Sequence, residues 1–198
     1  MIINQLEKTL QLKMVYYGPA MSGKTTSLKA LFDHFGKKDE VKSIESTVGR
    51  TLYFDYGVLS FQNEKWKLKI NIYTTTGQDF YIVTRPTVLR AVDGIIFIVD
   101  SQKSAFKRNI SSWNELTNYF DMDSFNRLGK VIVFNKQDLP DKFETAKYLD
   151  EIGYHNFKNI ECRKSIAISS EGVLETFEDT LRLILQSIYH ENLISNTV

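Results

Sequence analysis

The chain contains little of several residue types that mark whole classes of protein. It has 1 cysteine, Cys162, which excludes an internal disulfide. Its 25 basic and 24 acidic residues leave a net charge of +1, so no strong field attracts nucleic acid. It shows neither a secretory signal nor the run of about 18 apolar residues that marks a membrane-spanning helix. We therefore expect a cytoplasmic protein without a nucleic-acid partner.

Signals for histidine metal sites and for lipid anchoring are missing as well. The histidines, His34, His155 and His190, are scattered without the spacing of metal ligands. Ile2 stands where myristoylation needs a glycine, and the end of the chain has no cysteine for prenylation. We expect any contact with a membrane to depend on partner proteins.

The length and composition suit one domain. The chain has 198 residues, of which 42% are hydrophobic and 25% are charged, enough for one full hydrophobic core. We expect an N-terminal extension over residues 1–11, a single domain over residues 12–190 and a C-terminal tail over residues 191–198.

Alternating apolar and helix-length segments predict an α/β fold. The predicted strands are Leu12–Tyr17, Leu52–Phe61, Trp66–Tyr73, Ile95–Val99, Val131–Phe134 and Ile166–Ile168. The predicted helices near Val83–Val92, Ala105–Phe120, Phe143–Ile152 and Val173–Tyr189 alternate with the later strands. This order predicts a six-stranded, mostly parallel sheet with helices on both faces. Only Gln62–Lys65 separates the second and third strands, so they should form a hairpin and the second strand should run antiparallel.

One polar segment of about fourteen residues, Gly36–Gly49, has no predicted element of its own. In a compact domain, such a segment is either disordered or a functional loop.

Residues Gly18–Thr25 read GPAMSGKT and fit the phosphate-binding pattern G-x-x-x-x-G-K-[ST], between a predicted strand and a helix-like run. The glycines let successive N–H groups face a polyphosphate, Lys24 neutralises its β and γ oxygens, and the Thr25 hydroxyl ligates Mg²⁺. For the motif alone, an ordinary glycine-rich turn is the alternative. The residues expected to contact the nucleotide here are Gly18, Ala20, Met21, Ser22, Gly23, Lys24, Thr25 and Thr26.

A second motif, FNKQD at Phe134–Asp138, follows the predicted strand Val131–Phe134 and matches the N-K-x-D pattern of guanine recognition. The Asp138 carboxylate can accept both N1–H and N2–H of guanine, whereas adenine would leave that charge unpaired, a penalty on the order of 10⁴-fold. Asn135 would tie this loop to the phosphate loop, and the stem of Lys136 would lie along the base. The alternative is a turn in which Asp138 caps a helix.

These motifs and three further segments resemble a small GTPase of the Ras superfamily over about residues 12–190. The segments, in order, are VYYGPAMSGKTT, GRTLYFDY, IYTTTGQDFY, VDGIIFIVDSQ and FNKQDLP. GRTLYFDY and TGQDFY are most similar to the MglA-type polarity GTPases of gliding bacteria and their archaeal relatives. The resemblance implies the P-loop NTPase G-domain fold, bound GTP or GDP, and Mg²⁺.

The third motif departs from the Ras-like pattern. Ras-like proteins begin it with an aspartate that holds a magnesium-bound water, but this chain has Thr74, as the MglA type does. A neutral hydroxyl in place of a charged acceptor predicts a weaker affinity for magnesium. The resemblance assigns Gly77 to the γ-phosphate and Gln78 to the attacking water. From the residues alone, Gln78 can equally be a solvated loop residue.

Two threonines are candidates for the magnesium ligand that senses the γ-phosphate. Thr51 in GRTLYFDY matches the MglA pattern and is preferred, whereas Thr47 in STVG is similar to the T-I-G of Arf-like proteins. Arg50 then matches the arginine that this family supplies from its own chain, an effect of about 10³- to 10⁵-fold in rate. The alternative for Arg50 is a salt bridge at the mouth of the second strand. The expected catalytic residues are therefore Gln78, Arg50 and Lys24.

Two more departures concern the phosphate loop and the base. Ala20 and Met21 stand where Ras-like proteins commonly carry two glycines, and the methyl group of Ala20 would crowd an approaching arginine or glutamine. We expect slow intrinsic hydrolysis. The last motif, usually S-A-K, is here Ile166, Ala167 and Ile168. The Ala167 N–H can still meet the guanine O6, but the flanking hydroxyl and lysine are gone, so guanine affinity should be modestly lower.

The favoured function is a GTP-hydrolysing molecular switch. The Gly36–Gly49 loop with Arg50 and Thr51, and the loop Thr76–Arg85, would change order when the γ-phosphate leaves. The resemblance implies that the second strand slides in register on activation. It also implies a dimeric Roadblock-type activator acting on a chain that is monomeric by itself.

Two other functions fit parts of the sequence. A binding-only scaffold that holds GTP or GDP without useful turnover fits Thr74 and Ala20. The retained Lys24, Thr25, Gln78 and Arg50 favour an enzyme instead. A P-loop kinase or ATPase fits the phosphate loop alone, and FNKQD argues against it.

The substitution Asp138→Asn should weaken guanine selectivity, because an amide offers a donor where guanine requires two acceptors. Competition of GDP and ADP for the site measures the ratio of the two affinities. Asp141→Asn, three residues further along, is the matched control and should keep the ratio. Unchanged selectivity in the Asp138 variant would mean that this carboxylate only caps a turn.

Overall fold

The computed structural model describes residues 1–44, 54–76 and 84–195 of the chain. Its strands are β1 (Ile2–Asn4), β2 (Thr9–Tyr17), β3 (Lys42–Ile44), β4 (Phe54–Gln62), β5 (Lys67–Thr74), β6 (Gly94–Asp100), β7 (Gly129–Asn135) and β8 (Ile160–Lys164). Its α-helices are α1 (Lys24–His34), α2 (Arg85–Leu89), α3 (Phe106–Thr117), α4 (Met122–Arg127), α5 (Thr145–Glu151) and α6 (Val173–Ser195). Short 3₁₀ helices lie at Lys38–Glu40, Lys103–Ala105, Tyr154–Asn156 and Ala167–Ser169.

One sheet runs through the described residues in the order β3-β4-β5-β2-β6-β7-β8. Strands β5, β2, β6, β7 and β8 are parallel, and β4 runs antiparallel to β5. The turn between β4 and β5 is stabilised by Asn63, whose Oδ1 accepts the N–H groups of Lys65 and Trp66, both at 2.8 Å. The predicted α/β fold and the antiparallel second strand are therefore confirmed.

The core has a layer on each face of the sheet. Along β7, Val131 and Val133 pack with residues of α1 and α6, whereas Ile132 and Phe134 pack with residues of α2, α3, α4 and α5. Every residue of β6 and of β7 is buried, as expected for central strands covered on both sides. The predicted helices on both faces are confirmed.

The last predicted strand, Ile166–Ile168, is wrong. The final strand is β8, and the predicted residues fall mostly in the 3₁₀ helix Ala167–Ser169. β8 reads IECRK and pairs only with β7 at the edge of the sheet, so it is half polar and has no apolar run. Ile168 is 78% exposed, so the apolar run does not report a buried strand.

Two short strands raise the number of strands above the predicted six. β1 lies within residues 1–11 and pairs antiparallel with β2, with Ile3 opposite Leu10. β3 lies within the segment predicted as a loop, Gly36–Gly49, and pairs antiparallel with β4. Three-residue strands carry too little periodicity to be read from sequence. No helix in the described ranges is both long and apolar enough to cross a membrane.

Paired glycines bring α6 close to the sheet, and alanine there should destabilise the fold. Gly94 lies opposite Gly129. A Cβ at Gly129 would lie 2.8 Å from the Ile184 backbone nitrogen, and one at Gly94 would lie 2.5 Å from the Ile184 Cδ1. Because a helix backbone yields less than a side-chain tip, Gly129→Ala should lower the free energy of unfolding by about 1–3 kcal/mol and Gly94→Ala by less.

Urea denaturation measures both effects. The effect of Gly94→Ala should shrink in an Ile184→Val background, which removes the Cδ1. The exposed β4 position Ser60→Ala is the control and should stay within about 0.5 kcal/mol of wild type. Equal stability of Gly129→Ala and the control would contradict the close approach of α6.

Candidate functional site

The predicted site lies where the carboxyl ends of β2, β6 and β7 meet. The phosphate loop follows β2 and runs into α1, and FNKQD begins in β7, whose last residue, Asn135, lies opposite Asp100 of β6. This edge of a parallel sheet is where ligands bind in open α/β folds. In the phosphate loop, Ser22 is buried and Ala20 is half-buried, and Thr26 in the first turn of α1 is exposed.

The phosphate loop has a backbone that requires its glycines. Gly18 has φ of 138°, and a Cβ there would lie 2.3 Å from the Ile98 carbonyl oxygen. Gly23 has φ of 106°, and a Cβ there would lie 2.2 Å from the Asn135 Nδ2. Met21 is also left-handed, with φ of 61°, and its side chain is 82% exposed. Turns of this kind direct N–H groups into a concavity that suits an anion.

Lys24 is buried at the start of α1. Its Nζ donates to the carbonyl oxygens of Gly18 at 2.8 Å and Pro19 at 2.7 Å. Burial lowers the pKa of Lys24 to about 7, the Arg85 guanidinium adds to the lowering, and the Asp55 carboxylate opposes it. Phosphate oxygens bound beside this amine would favour its charged form.

Asn135 connects the phosphate loop to two other loops. Its Nδ2 donates to the Ser22 carbonyl oxygen at 2.8 Å. Its Oδ1 accepts the Ala167 N–H at 3.0 Å and the Ser165 hydroxyl at 3.1 Å. The structure therefore brings three of the predicted site residues, Ser22, Asn135 and Ala167, into one hydrogen-bonded group.

The other residues predicted to contact the base lie around Asn135. Lys136 has a left-handed backbone, with φ of 64°, and its Nζ donates to the Asp100 carboxylate at 2.9 Å. Asp138 is exposed, and so is Ile168 beyond the buried Ala167.

A carboxylate that the sequence reasoning missed lies beside Thr25. The Asp55 Oδ2 accepts the Thr25 hydroxyl at 2.5 Å and the Thr74 hydroxyl at 3.2 Å, and the Asp55 Oδ1 accepts the Ser43 hydroxyl at 2.8 Å. The signal for it in the sequence is a charged residue within the apolar run of GRTLYFDY. β4 therefore contributes a negative charge to the predicted magnesium site.

Arg85 is a second residue that the motifs did not single out. It is 3% exposed, pairs with Glu115 of α3, and donates from Nε to the Thr76 carbonyl oxygen at 3.0 Å. Thr76 is the first residue of the loop Thr76–Arg85, which is predicted to change order when the γ-phosphate leaves. Arg85 thus links α2 and α3 to the start of that loop.

Several predicted residues fall outside the described ranges. These are Thr47, Arg50, Thr51, Gly77 and Gln78. Their roles remain predictions.

Binding of GDP at pH 8 should take up most of a proton onto Lys24. With a pKa of about 7, this amine is mostly neutral at pH 8 in the nucleotide-free protein. Phosphate oxygens favour the ammonium and raise its pKa, so a proton enters on binding. Calorimetric titration in buffers of different ionisation enthalpy measures the uptake, which should be smaller at pH 6. Equal heats in every buffer at pH 8 would contradict a neutral Lys24.

Comparisons with known proteins agree with this geometry. The ADP-ribosylation factor family matches residues 1–184. The chain is 30% identical over 191 residues to the mutual gliding-motility protein MglA of Myxococcus xanthus, covering 94% of this chain and 96% of that protein.

Two eukaryotic proteins are more distant relatives. The chain is 27% identical over 146 residues to the Ras-related protein RABD2a of Arabidopsis thaliana, covering 71% of this chain and 66% of that protein. It is 25% identical over 182 residues to the DnaJ homolog subfamily C member 27-B of Xenopus laevis, covering 86% and 60%. The chain therefore belongs to the Arf and Ras family of small GTPases.

Proposed function

We propose that the chain is a GTP-driven molecular switch that hydrolyses GTP to GDP with Mg²⁺, slowly by itself and faster with an activating partner. The observation that carries the proposal is the hydrogen-bonded group around Asn135. It joins a loop suited to phosphate with a loop suited to guanine. Family membership supports the same reading.

Guanine recognition follows from the loops around Asn135. Asp138 would accept from N1 and N2 of the base, and the Ala167 N–H would donate to O6. The Ala167 N–H lies 3.0 Å from the Asn135 Oδ1 in the structure, so a base oxygen would share or replace that contact. Because both groups reject the hydrogen-bonding edge of adenine, GTP is the expected substrate rather than ATP.

Phosphate binding would use the backbone of residues 18–25 and the Lys24 ammonium. Lys24 donates to carbonyl oxygens of its own loop in this structure, and β and γ oxygens would take over those contacts. Thr25, at the start of α1, would ligate Mg²⁺, with Thr51 as the second hydroxyl ligand. Magnesium would neutralise charge on the bridging oxygens during phosphoryl transfer.

Hydrolysis would depend on Gln78 and Arg50. Gln78 would orient the attacking water, and Arg50 would stabilise the charge that develops on the γ-phosphate. The half-buried methyl group of Ala20 would stand between these side chains and the phosphate, which accounts for a slow rate without a partner.

Switching would combine loop ordering with movement of β4. In this structure β4 pairs with β5 so that Tyr56 lies opposite Tyr73. Sliding β4 along β5 would carry Arg50 and Thr51 with it. Similarity to MglA supports a dimeric Roadblock-type protein as the activator that stabilises the active register, and supports recruitment to a cell pole by partners. We expect effectors to bind only the GTP state.

A binding-only scaffold is the competing function. The neutral Thr74 and the methyl group of Ala20 favour it. It predicts tight binding of GTP with no turnover under any condition, so single-turnover hydrolysis separates it from the switch.

In single-turnover experiments with Mg²⁺, the wild-type protein should hydrolyse GTP and leave ATP intact, and a Roadblock-type activator should raise the rate. Arg50→Ala should bind GTP normally but lose about 10³- to 10⁵-fold of the activated rate, and Gln78→Leu should also be slow. Arg90→Ala, an exposed arginine after α2, is the matched control and should behave as wild type. A wild-type rate in Arg50→Ala with activator would refute the arginine's role.

A further inference from the structure

The carboxylate that Thr74 cannot supply is present on the neighbouring strand. Asp55 of β4 lies beside Thr74 of β5, where the two strands run antiparallel. The Asp55 N–H donates to the Thr74 Oγ1 at 2.9 Å, and the Thr74 hydroxyl donates to the Asp55 Oδ2 at 3.2 Å. The pair places a negative charge close to where the third motif of Ras-like proteins carries its aspartate.

The contact between Asp55 and Thr25 leaves Thr25 free to bind a cation. A hydroxyl has one proton to donate and two lone pairs to offer. The Thr25 proton is directed to the Asp55 Oδ2 at 2.5 Å, so the lone pairs remain for a metal. A carboxylate that accepts from a ligand in this way orients the ligand and makes it a stronger donor to the metal.

Within the described residues, Asp55 forms no ion pair; Lys24 acts on its charge only from a distance. The side chains that donate to its carboxylate in the described ranges, Thr25, Thr74 and Ser43, are all neutral hydroxyls. Asp55 is half-buried, so an unpaired charge there is costly. A divalent cation bound to Thr25 would supply the missing positive charge.

The donor set at this point fits magnesium. No group of three histidine, cysteine, aspartate or glutamate side chains lies together in the described part of the chain, so an all-protein cage for a metal is not formed there. Magnesium is usually held by one or two carboxylates together with phosphate oxygens and water. The Thr25 hydroxyl, oriented by the Asp55 carboxylate, would complete such a set of oxygen ligands together with water and the phosphates of a bound nucleotide.

We propose that Asp55 is the positioning carboxylate of the magnesium site, acting through the Thr25 hydroxyl in place of an aspartate at position 74. The inference rests on the proposed binding of a guanine nucleotide at residues 18–25. It replaces the expectation of weak magnesium affinity with the expectation that the affinity is supported by β4.

Because this carboxylate lies on β4, the affinity for magnesium would depend on the position of that strand. Successive side chains of a strand point to opposite faces, so a slide of β4 by one residue would turn Asp55 away from Thr25. An aspartate at position 74 would be unaffected, because β5 pairs with the central strand β2. A register of β4 that keeps Asp55 on Thr25 is therefore the one that magnesium stabilises.

The test is the magnesium dependence of the dissociation of a fluorescent GDP. Asp55→Asn keeps the size of the side chain and removes its charge. The Mg²⁺ concentration that half-maximally slows dissociation should rise about 10- to 100-fold in this variant. The dissociation rate in excess EDTA should match wild type, because the nucleotide loops are unchanged.

Two further variants separate a magnesium role from damage to the fold. The first is the double variant Asp55→Asn, Thr74→Asp, which has its carboxylate on β5, as Ras-like proteins do. Its Mg²⁺ midpoint should return toward that of wild type. Asp33→Asn, an exposed carboxylate on α1, is the matched control and should leave the midpoint unchanged.

The outcomes distinguish this inference from the proposed function. A wild-type protein that does not bind the fluorescent GDP would overturn the proposed function and this inference with it. If wild type binds the fluorescent GDP tightly and Mg²⁺ slows its dissociation, an unchanged Mg²⁺ midpoint in Asp55→Asn would overturn the role of Asp55 alone. A lower midpoint in Asp55→Asn would overturn it too, since the carboxylate would then compete with the metal for Thr25.

Discussion

The side-chain amide of Asn135 is the constraint on which the site depends. Its hydrogen bonds to Ser22 and Ala167 fix the phosphate loop against the loop that is predicted to meet the base. The same amide explains Gly23, because a Cβ at that position would lie 2.2 Å from the Asn135 Nδ2. A residue in one motif thus dictates a residue in another, 112 positions earlier in the chain. The nucleotide pocket follows from packing as much as from either motif alone.

The charged side chains around the phosphate loop suit an anionic ligand that arrives together with a cation. Burial and Arg85 hold the pKa of Lys24 down to about 7, so the amine is ready to gain a proton as phosphate arrives. Asp55 supplies the opposite charge on the side of Thr25, where a cation is expected. Asp55 lies in β4 and Arg85 lies in α2, and each of these elements follows a predicted switch loop. On the proposed function, binding of nucleotide and metal would be linked to the positions of β4 and α2.

Short sequence patterns predicted most of this fold, but they could not predict which residues face each other across neighbouring strands. The central strands β6 and β7 are continuous apolar runs, and the spacing of Gly18 and Lys24 is readable without a structure. The edge strand β8 was missed because it is partly polar and has no apolar run. The segment Ile166–Ile168 was wrongly predicted as a strand because its apolar Ile168 lies on the surface. Asp55 was missed for a different reason. Its meaning depends on the register of β4 against β5, which no single segment encodes.

The central claim is that this fold selects a guanine nucleotide through loops joined by Asn135. The most direct measurement is equilibrium displacement of a fluorescent GDP from the wild-type protein by unlabelled GTP, GDP and ATP in the presence of Mg²⁺. The account predicts that GTP and GDP displace the probe at similar concentrations, whereas ATP needs on the order of 10⁴-fold more. Displacement by ATP at the same concentration as GTP would contradict it.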